Sequence, residues 1–570
     1  MATHHTPLHR AAAEAVAAHA GIAATDLKVE APPRPELGDL AVGCFAIAKA
    51  RSQNPAEVAR AIAAAFQPTE LLASATANGP FVNFRARRDA AYRWVIDSAL
   101  RSRLVPGELG AGQTICIDYG SPNISKHLAY HHIRGTTIGH ALAQVFRALG
   151  YRVVGINFLG DWGTTHGMLL AAWAKWGPVE PLDVSALNAL YVRYNAAMKE
   201  DPALEAEGRA WFKRLETGDP EARALWQRFR DVSWAEFQSV YDILGIEYDE
   251  VRGESAYEPD LPPLLDRLAA QGLTTESQGA LVVELPDEKN PILLRTRDGT
   301  TLYATRDAAA AEYRWASYHF TRSLYVVDRG QALHFRQLFK LLGKMGHAWA
   351  GRCEHVPYGL VKINNQKSAS RLGTVLMREV FTIAETMVKG VIAENNPEMP
   401  AAQVAEVARQ VGIGAIVFAN LAPQRDKDID FDIDHAVSLE GDSGPYLQYS
   451  HARCAAIARK AGEAVTAVDG VDLGRLAHDA EWAIARRLLE FPDAVVRASE
   501  AGEPHVIAHY LLGLAAEFSR WYTLGNGDAS LRVLCDDRAT RRARLALTAA
   551  VQAALRDGLG LLGIVAPDQM

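Results

Sequence analysis

Cationic and imidazole side chains are concentrated in a short segment near residue 130. Within residues 126–134 the chain carries Lys126, His127, His131, His132 and Arg134. Such groups bind phosphate well beside a helix N-terminus, where free amides and the helix dipole already favour anions. A solvated polar loop is the alternative for any one of them, but five within nine residues favour a phosphate site. The segment contains neither GxGxxG nor GxxxxGK[ST], so neither a dinucleotide fingerprint nor a P-loop is indicated.

The elements on either side of this segment predict a βαβ unit. The apolar run at 115–117 is typical of a buried parallel strand. From His132 the apolar residues recur mostly at steps of three, four and seven, which predicts a helix that ends near Gly150. A second apolar run at 153–158 predicts the next strand. Such a unit joins parallel strands, and an open α/β sheet binds ligands in the turn after the first strand.

A second group of polar residues follows later strands. Tyr303 and Asp307 are four residues apart at the start of an alanine-rich stretch, so on a helix they share one face. Residues 324–327 predict a buried strand, and Gln331 and His334 follow it. Asp307 could equally be an ordinary carboxylate at a helix N-terminus, and that alternative stays open.

Composition sets the class of protein. A chain of 570 residues is too long for one core and predicts roughly three or four domains. The net charge of −7 does not point to nucleic-acid binding, although a local basic face would be enough for it. The five cysteines are scattered without a CxxC pair, which indicates a reduced cytoplasm and argues against structural zinc. Without a long apolar run or a signal peptide, we expect no membrane span.

The pattern changes along the chain in three steps. Residues 1–105 predict a small α/β module without a catalytic cluster. Residues 106–395 hold both βαβ units, with a helical and mixed insertion at about 170–295. Residues 396–570 are helical, and there Tyr446, Tyr449 and Arg453 share one helix face. That face fits nucleic-acid stacking, and it fits an ordinary packed tyrosine pair equally well.

Several motifs spread over nearly the whole chain carry a family resemblance. They are PELGD (35–39), NGPFVNF (78–84), SPNISK (121–126), LGDWG (159–163), DGTTLYATRD (298–307) and EGDSGPYLQY (440–449). In this order they resemble the arginyl-tRNA synthetases, a family of class I aminoacyl-tRNA synthetases. The resemblance implies an α/β fold in which a Rossmann-like parallel-sheet catalytic domain lies between an N-terminal α/β tRNA-contacting domain and a C-terminal all-α anticodon-binding bundle.

The same resemblance implies a reaction and its partners. L-arginine and ATP, with Mg²⁺, give arginyl-adenylate and pyrophosphate, and the arginyl group then passes to tRNA-Arg with release of AMP. Members of the family typically activate arginine only with tRNA bound. We expect a cytoplasmic monomer that has no membrane partner and no metal site of its own.

The resemblance also implies roles for individual residues. Asp118, Tyr303 and Asp307 would hold the substrate guanidinium, a planar cation that suits carboxylates and an aromatic ring. Asn123 and Gln331 would bind the remainder of arginine. The other implied sites are ATP contacts at His132, Gly160, Asp161, Gly163 and His334; catalytic residues Lys126, His131, His132, Lys367 and Arg371; and tRNA contacts at Asn83, Tyr446, Gln448, Tyr449 and Arg453.

Both signature motifs of the family are altered in this chain. The first, His-x-Gly-His, reads AYHH at 129–132, so that Ala129 replaces the first histidine and His131 replaces the glycine. The second, Lys-Met-Ser-Lys-Ser or Lys-Met-Ser-Thr-Arg, reads KSASR at 367–371 and keeps its first lysine and final arginine. Lys126 is present, and in this family a lysine there can substitute for a missing second-signature lysine.

Two hypotheses follow from these changes. In the first, the chain is an active ligase in which His131 or His127 takes over the donor role of the lost histidine. In the second, it is a paralogue with altered or lost ligase activity that serves biosynthesis or regulation. The complete guanidinium pocket, the tRNA-binding ends and Lys126 favour the first hypothesis.

Overall fold

The computed structural model describes residues 4–285, 287–297, 299–363 and 375–570. Its N-terminal region is a sheet with helices packed on it. The elements are α1 (Pro7–Ala20), β1 (Val29–Glu30), β2 (Leu40–Gly43), α2 (Phe45–Arg51), α3 (Pro55–Ala65), β3 (Leu72–Asn78), β4 (Phe81–Ala86) and α4 (Arg88–Leu100). The strands are antiparallel in the order β1–β2–β4–β3. Asn54 caps α3, because its side chain accepts a hydrogen bond from the amide of Ala56 and Pro55 occupies the first turn.

The central region alternates strands and helices. Its elements are β5 (Thr114–Asp118), α5 (Ile133–Ala148), β6 (Arg152–Asn157), α6 (Thr164–Trp176), α7 (Val184–Glu200), α8 (Ala203–Glu216), α9 (Pro220–Leu244), β7 (Glu250–Val251), α10 (Leu261–Ala270), β8 (Thr275–Ser277), β9 (Ala280–Val283), β10 (Ile292–Arg295), α11 (Tyr303–Tyr318), β11 (Arg322–Asp328), α12 (Ala332–Lys344), β12 (Cys353–Tyr358) and β13 (Val361–Ile363).

Five of these strands form a parallel sheet in the order β12–β11–β5–β6–β7. Ile115 and Ile117 of β5 are fully buried, as the apolar run predicts. After β5 the chain forms β6, which pairs with one edge of β5, and much later it forms β11, which pairs with the opposite edge of β5. The sheet therefore has its topological switch point between β5 and β11, where open α/β sheets bind ligands. Both predicted βαβ units are confirmed.

The predicted insertion is less uniform than its composition indicates. Helices α7, α8 and α9 form a helical layer between β6 and β7, and β8, β9 and β10 form a separate antiparallel sheet. Between them β7 returns to the central sheet, where Glu250 pairs with Ile156. A two-residue strand is too short to leave a periodic pattern, so the sequence gives no sign of this return.

The C-terminal region is helical, as predicted. Its elements are α13 (Met377–Asn395), α14 (Ala401–Leu421), β14 (Ile429–Phe431), α15 (Ile433–Ala436), α16 (Gly444–Ala461), α17 (Asp479–Leu489), α18 (Phe491–Ala501), α19 (His505–Gly527) and α20 (Arg538–Leu561). By length and composition α14 could cross a membrane, but 61% of its most apolar window is buried within the protein. It packs between α13 and α16, which is the environment of a core helix.

Buried Arg134 joins this region to the central sheet. Its guanidinium donates hydrogen bonds to the carbonyl oxygens of Asn420, Gln424, Arg425 and Lys427, at and beyond the C-terminal end of α14. A helix C-terminus carries partial negative charge, so it favours a cation there. The helix that follows the first signature is thus bonded directly to the C-terminal region.

Candidate active site

The candidate site lies where β5 and β11 end side by side. β5 ends at Asp118 and its parallel neighbour β11 at Asp328. Because carboxyl ends of parallel strands share one edge of a sheet, the residues after both strands face the same region. The two polar groups predicted from the sequence therefore belong to one site.

The turn after β5 is held to the turn after β6. Asn123 forms a parallel bridge with Gly160, whose amide donates to the carbonyl of Pro122 at 2.9 Å. A β-carbon on Gly160 would lie 2.0 Å from Oδ1 of Asn123, so any other residue at this position would displace the Asn123 side chain. Gly163, with φ of 131°, adopts a backbone conformation that other residues rarely take. Both glycines shape the turn, and their predicted contact with ATP stays a prediction.

Lys126 and His127 differ in their surroundings. Lys126 is exposed, and its Nζ lies 5.4 Å from the centroid of the Tyr191 ring on α7. His127 uses both ring nitrogens, with Nδ1 2.5 Å from Oε1 of Glu236 and Nε2 3.0 Å from Oγ of Ser185. The hydrogen bond to Glu236 raises the pKa of His127. With both nitrogens engaged by the insertion, His127 is not available as the substitute donor, which leaves His131.

His131 and His132 lie against each other, with ring centroids 4.1 Å apart and planes tilted by 35°. His132 Nδ1 donates to the carbonyl of Ala129 at 3.0 Å. Burial lowers the pKa of His132 to about 4, so the ring is neutral near pH 7. His131 is exposed beside it. The pair therefore offers imidazole edges rather than fixed charges.

The segment 128–130 pairs with the chain that follows the second signature. Ala129 bridges Leu376, and the amide of Tyr130 donates to the carbonyl of Val375 at 2.9 Å. Lys367 and Arg371 lie outside the described residues, so their catalytic roles stay predictions. The residues that flank them, Ile363 in β13 and Val375, are placed.

Tyr303 and Asp307 meet at the start of α11, together with His334. His334 Nε2 lies 2.6 Å from Oδ2 of Asp307, and the rings of Tyr303 and His334 are 4.8 Å apart at 65°. Tyr303 is 53% exposed, so its ring is open to a ligand. Gln331 is also exposed. Tyr303 and Asp307 therefore come together, with His334 as the partner of Asp307, and the predicted contact of His334 with ATP stays a prediction.

Asp118 is bonded within the protein, and its predicted contact with arginine stays a prediction. The side chain is buried, and Arg314 donates to Oδ2 at 2.6 Å while Ser121 donates to Oδ1 at 2.8 Å. Arg314 is itself buried, with its guanidinium over the rings of Phe158 and Tyr325. The chain thus supplies its own guanidinium to Asp118.

Asp161 likewise holds parts of the scaffold together, and its predicted contact with ATP stays a prediction. It is fully buried, and its carboxylate accepts hydrogen bonds from Arg230 and from the amide and hydroxyl of Ser255. A β-carbon at Gly253 would lie 2.3 Å from Oδ2 of Asp161. Asp161 therefore ties the turn after β6 to α9 and to the segment after β7.

Glu254 is a site residue that sequence reasoning missed. It follows β7, and its carboxylate accepts a hydrogen bond from Nε of Arg306 at 2.9 Å. Burial raises the pKa of Glu254 to about 7; Arg306 lowers it, and the charges of Asp307 and Asp161 raise it. A second acidic group therefore lies near Asp307. The acidic run GESAYEPD at 253–260 was its only sequence signal, within a stretch predicted to be an insertion.

His166 was also missed, and it lies between the two groups of polar residues. It occupies the first turn of α6 and is buried. Burial, together with the charges of Lys126 and Arg306, lowers the pKa of His166 to about 4. His166 is therefore neutral near pH 7 and feels the charges of both groups.

The predicted tRNA contacts divide into buried and accessible residues. Asn83 is buried in β4, and Gln448 is fully buried and donates to the carbonyls of Gln410 and Val565. Neither side chain is accessible in this structure, and their contacts with tRNA stay predictions. Tyr446 is half-buried, whereas Tyr449 is 38% exposed.

Arg453 lies between two aromatic rings, with its guanidinium carbon 4.7 Å from the Tyr449 centroid and 5.2 Å from the Tyr522 centroid. The three side chains line a cavity of about 560 Å³, together with Arg459 and Lys460. Aromatic faces beside cations are the chemistry of single-stranded nucleic-acid binding. This surface is therefore the accessible part of the predicted tRNA contact.

Comparison with known proteins gives a consistent result along the chain. The family model for the arginyl tRNA synthetase N terminal domain matches residues 6–86, that for the class I (R) tRNA synthetase catalytic domain matches 96–433, and that for the DALR anticodon binding domain matches 447–570. An arginine--tRNA ligase from an Exiguobacterium strain is 41% identical, with 95% of each chain covered. Arginine--tRNA ligase 1 of Bacillus cereus is 40% identical over the same shares. The arginyl-tRNA synthetase structure of Thermus thermophilus superimposes with a TM-score of 0.84 at 28% identity, covering 99% of this chain and 100% of that one.

Proposed function

The chain belongs to the arginyl-tRNA synthetase family of class I aminoacyl-tRNA synthetases, and we propose that it joins L-arginine to tRNA-Arg. ATP drives the reaction through arginyl-adenylate, with pyrophosphate and then AMP as products. The observation that carries this proposal is the juxtaposition of Tyr303, Asp307 and Glu254 at the switch point of the sheet. This is a site for a planar cation.

The guanidinium of arginine binds between these three side chains. His334 engages Oδ2 of Asp307, which leaves Oδ1 for the substrate. Glu254 supplies the second carboxylate, and the exposed ring of Tyr303 supplies an aromatic face. An uncharged amino acid would leave these carboxylates without a cation, so the pocket rejects it strongly. Asn123 and Gln331, both exposed, lie where they can bind the remainder of arginine.

ATP binds on the other side of the switch point, with its phosphates near Lys126, His131 and His132. Mg²⁺ enters as the counterion of the ATP phosphates. In the first step a carboxylate oxygen of arginine bonds to the α-phosphorus as the bond to pyrophosphate breaks. The lysine stabilises the charge that develops on the departing phosphates. In the second step a hydroxyl of the terminal adenosine of tRNA bonds to the arginyl carbonyl carbon, and AMP leaves.

The tRNA contacts the two ends of the chain. We assign residues 1–105 and 396–570 as the tRNA-contacting and anticodon-binding domains around a catalytic domain at 106–395. Tyr449, Arg453 and Tyr522 would receive unpaired bases, because stacking on aromatic rings and guanidinium groups suits single strands. Since every group needed for the reaction lies on one chain, the proposed state is a monomer. Cys44, Cys116, Cys353 and Cys454 are free and buried, which fits a reduced cytoplasm.

The test is ATP–pyrophosphate exchange, with and without tRNA-Arg, over a panel of arginine, lysine and citrulline. We expect exchange with arginine but not with lysine or citrulline. This exchange should require tRNA-Arg and should be followed by formation of arginyl-tRNA. Citrulline matches arginine in shape without its charge, so it reports the carboxylates directly. Absence of arginyl-tRNA from every tRNA-Arg isoacceptor would contradict the proposal. Arginyl-adenylate formed without transfer would instead point to a paralogue with another use for the adenylate.

A further inference from the structure

The setting of Lys126 differs from that of most cations in this protein. It lies on the loop after β5, is exposed, and has its Nζ 5.4 Å from the centroid of the Tyr191 ring. Over residues 4–285, 287–297, 299–363 and 375–570 no carboxylate lies within ion-pair distance of it. Tyr191 belongs to α7 in the helical insertion, so the contact joins the insertion to the site.

The insertion also fixes the backbone on both sides of Lys126. The amide of Ser125 donates to Oγ of Ser233 on α9 at 2.9 Å, and His127 is bonded to Glu236 on α9 and Ser185 on α7. Ser125 has φ of 67°, a left-handed conformation that a serine rarely adopts. Such a conformation persists only where the surrounding contacts determine it. The direction in which Lys126 leaves the loop is therefore set by α7 and α9.

We propose that Tyr191 is the positioning residue for Lys126, holding its ammonium group in place for the ATP phosphates with no carboxylate to offset its charge. This inference rests on the proposed function. A carboxylate in the same place would restrain the lysine but would also neutralise it before ATP arrives. An aromatic face attracts the ammonium group electrostatically but forms no hydrogen-bonded ion pair with it. All three N–H donors then stay available for phosphate oxygens.

The same helix provides a matched control. Arg193 lies two residues further along α7 and is exposed, with its guanidinium carbon 4.2 Å from the Trp176 centroid. That contact stays within the insertion and does not reach the loop. Arg193→Met therefore removes a cation–aromatic contact from α7 without touching Lys126.

The experiment measures arginine-dependent ATP–pyrophosphate exchange in the full chain with tRNA bound. Tyr191→Leu removes the aromatic face, and we expect kcat to fall about tenfold while the KM for arginine and the Kd for tRNA change less than about twofold. Tyr191→Phe keeps the face and should remain near wild type, as should Arg193→Met. Tyr191→Met, with a longer flexible chain, replaces the leucine variant if that protein does not fold.

A double-mutant cycle distinguishes positioning from a general structural role. In a Lys126→Met background, Tyr191→Leu should cause no further loss, because the ring acts through the lysine. A tenfold loss that persists in that background would overturn the inference, and so would a leucine variant with wild-type kcat. If instead the wild-type chain shows no exchange with any amino acid, the proposed function itself fails.

Discussion

At the ATP side of the site Lys126 and His131 lie exposed, whereas at the arginine side Asp307 and Glu254 are bonded to His334 and Arg306. An exposed ammonium group such as that of Lys126 keeps its hydration, so it needs no anionic partner from the protein, and burial lowers the pKa of His131 beside it. Partly buried carboxylates have lost some of that hydration, and desolvation accordingly raises the pKa of Glu254 to about 7. The arginine side therefore needs cationic partners from the protein until the substrate guanidinium arrives.

This difference assigns separate tasks to the two sides. A desolvated carboxylate discriminates between charged and uncharged ligands, because the wrong ligand leaves it unpaired. An exposed lysine discriminates little, but it stabilises charge that develops on phosphate. We therefore expect changes at Asp307 and Glu254 to alter the choice of amino acid, and changes at Lys126 to alter rate.

The largest expected effect is at Asp307. Asp307→Asn keeps the shape of the side chain and removes its charge, so kcat/KM for arginine should fall by about 10³-fold or more. The Kd for tRNA should change less than about twofold. Exchange kinetics with arginine and a filter-binding titration with tRNA measure the two quantities. Equal loss of both would mean that Asp307 supports the fold rather than the arginine pocket.

Lys126 should produce a smaller effect of a different kind. Lys126→Met should lower kcat of the exchange reaction by about 10²-fold, since one preorganised charge at the developing phosphate is removed. Equilibrium binding of arginine to the tRNA complex, measured by calorimetry, should be nearly unchanged. Lys126→Arg, which keeps the charge, should retain part of the rate. A large increase in the Kd for arginine would show that Lys126 also contributes to arginine binding. The two sides would then not have the separate tasks proposed for them.

The sequence predicted the framework of this site well, because local patterns encode it. The apolar runs of β5 and β6 and the helical spacing of α5 lie where the structure has them, and they located the turn that carries Lys126. The parallel pairing of β5 and β6 followed from the βαβ rule, whereas the order of all five strands came only with the structure.

Long-range partners were what the sequence could not provide. Asp118 pairs with Arg314, 196 residues away, and Asp161 with Ser255, 94 residues away. A motif gives the position of a carboxylate but not the partner that buries it. The burial of Asn83 and Gln448 was equally invisible in their motifs. Glu254 was missed because the strand before it, β7, has two residues and no pattern.

The pH dependence of arginine binding should come from the arginine side alone. Glu254 has a pKa of about 7, so lowering the pH from 8 to 6 protonates it and removes a partner of the guanidinium. The KM for arginine should rise about tenfold over that range, because about a tenth of a group with such a pKa is ionised at pH 6. His132, whose pKa is about 4, stays neutral throughout and adds nothing.

A matched variant tests that assignment. Glu254→Gln should bind arginine weakly at both pH values, with a KM that no longer depends on pH. Arg306 keeps its second hydrogen bond, to the carbonyl of Thr301, in this variant. An unchanged pH profile in Glu254→Gln would show that another group titrates.

The smallest expected effect concerns stability, and it isolates burial from ligand binding. Glu258 follows Glu254 by one helical turn, and burial raises the pKa of Glu258 to about 7. Its buried Oε1 atom has no hydrogen-bond partner within the described ranges, and the nearby charges of Arg306 and Arg223 offset only part of the effect of burial on the pKa. Between the unfolded value near 4.5 and about 7 the folded protein binds more protons than the unfolded chain, so stability falls as pH rises through this window.

Glu258→Gln removes the ionised form, and it should raise the free energy of unfolding by about 1–2 kcal/mol at pH 8 and by almost nothing near pH 4.5. Urea titrations at both pH values measure the difference, with Glu205→Gln as the control, since Glu205 is 53% exposed and pairs only at the surface with Arg209. The same gain in stability at both pH values would mean that Glu258 acts through packing rather than through the cost of burying its charge. Burial would then no longer explain why the carboxylates on the arginine side need a cation while Lys126 needs no counterion.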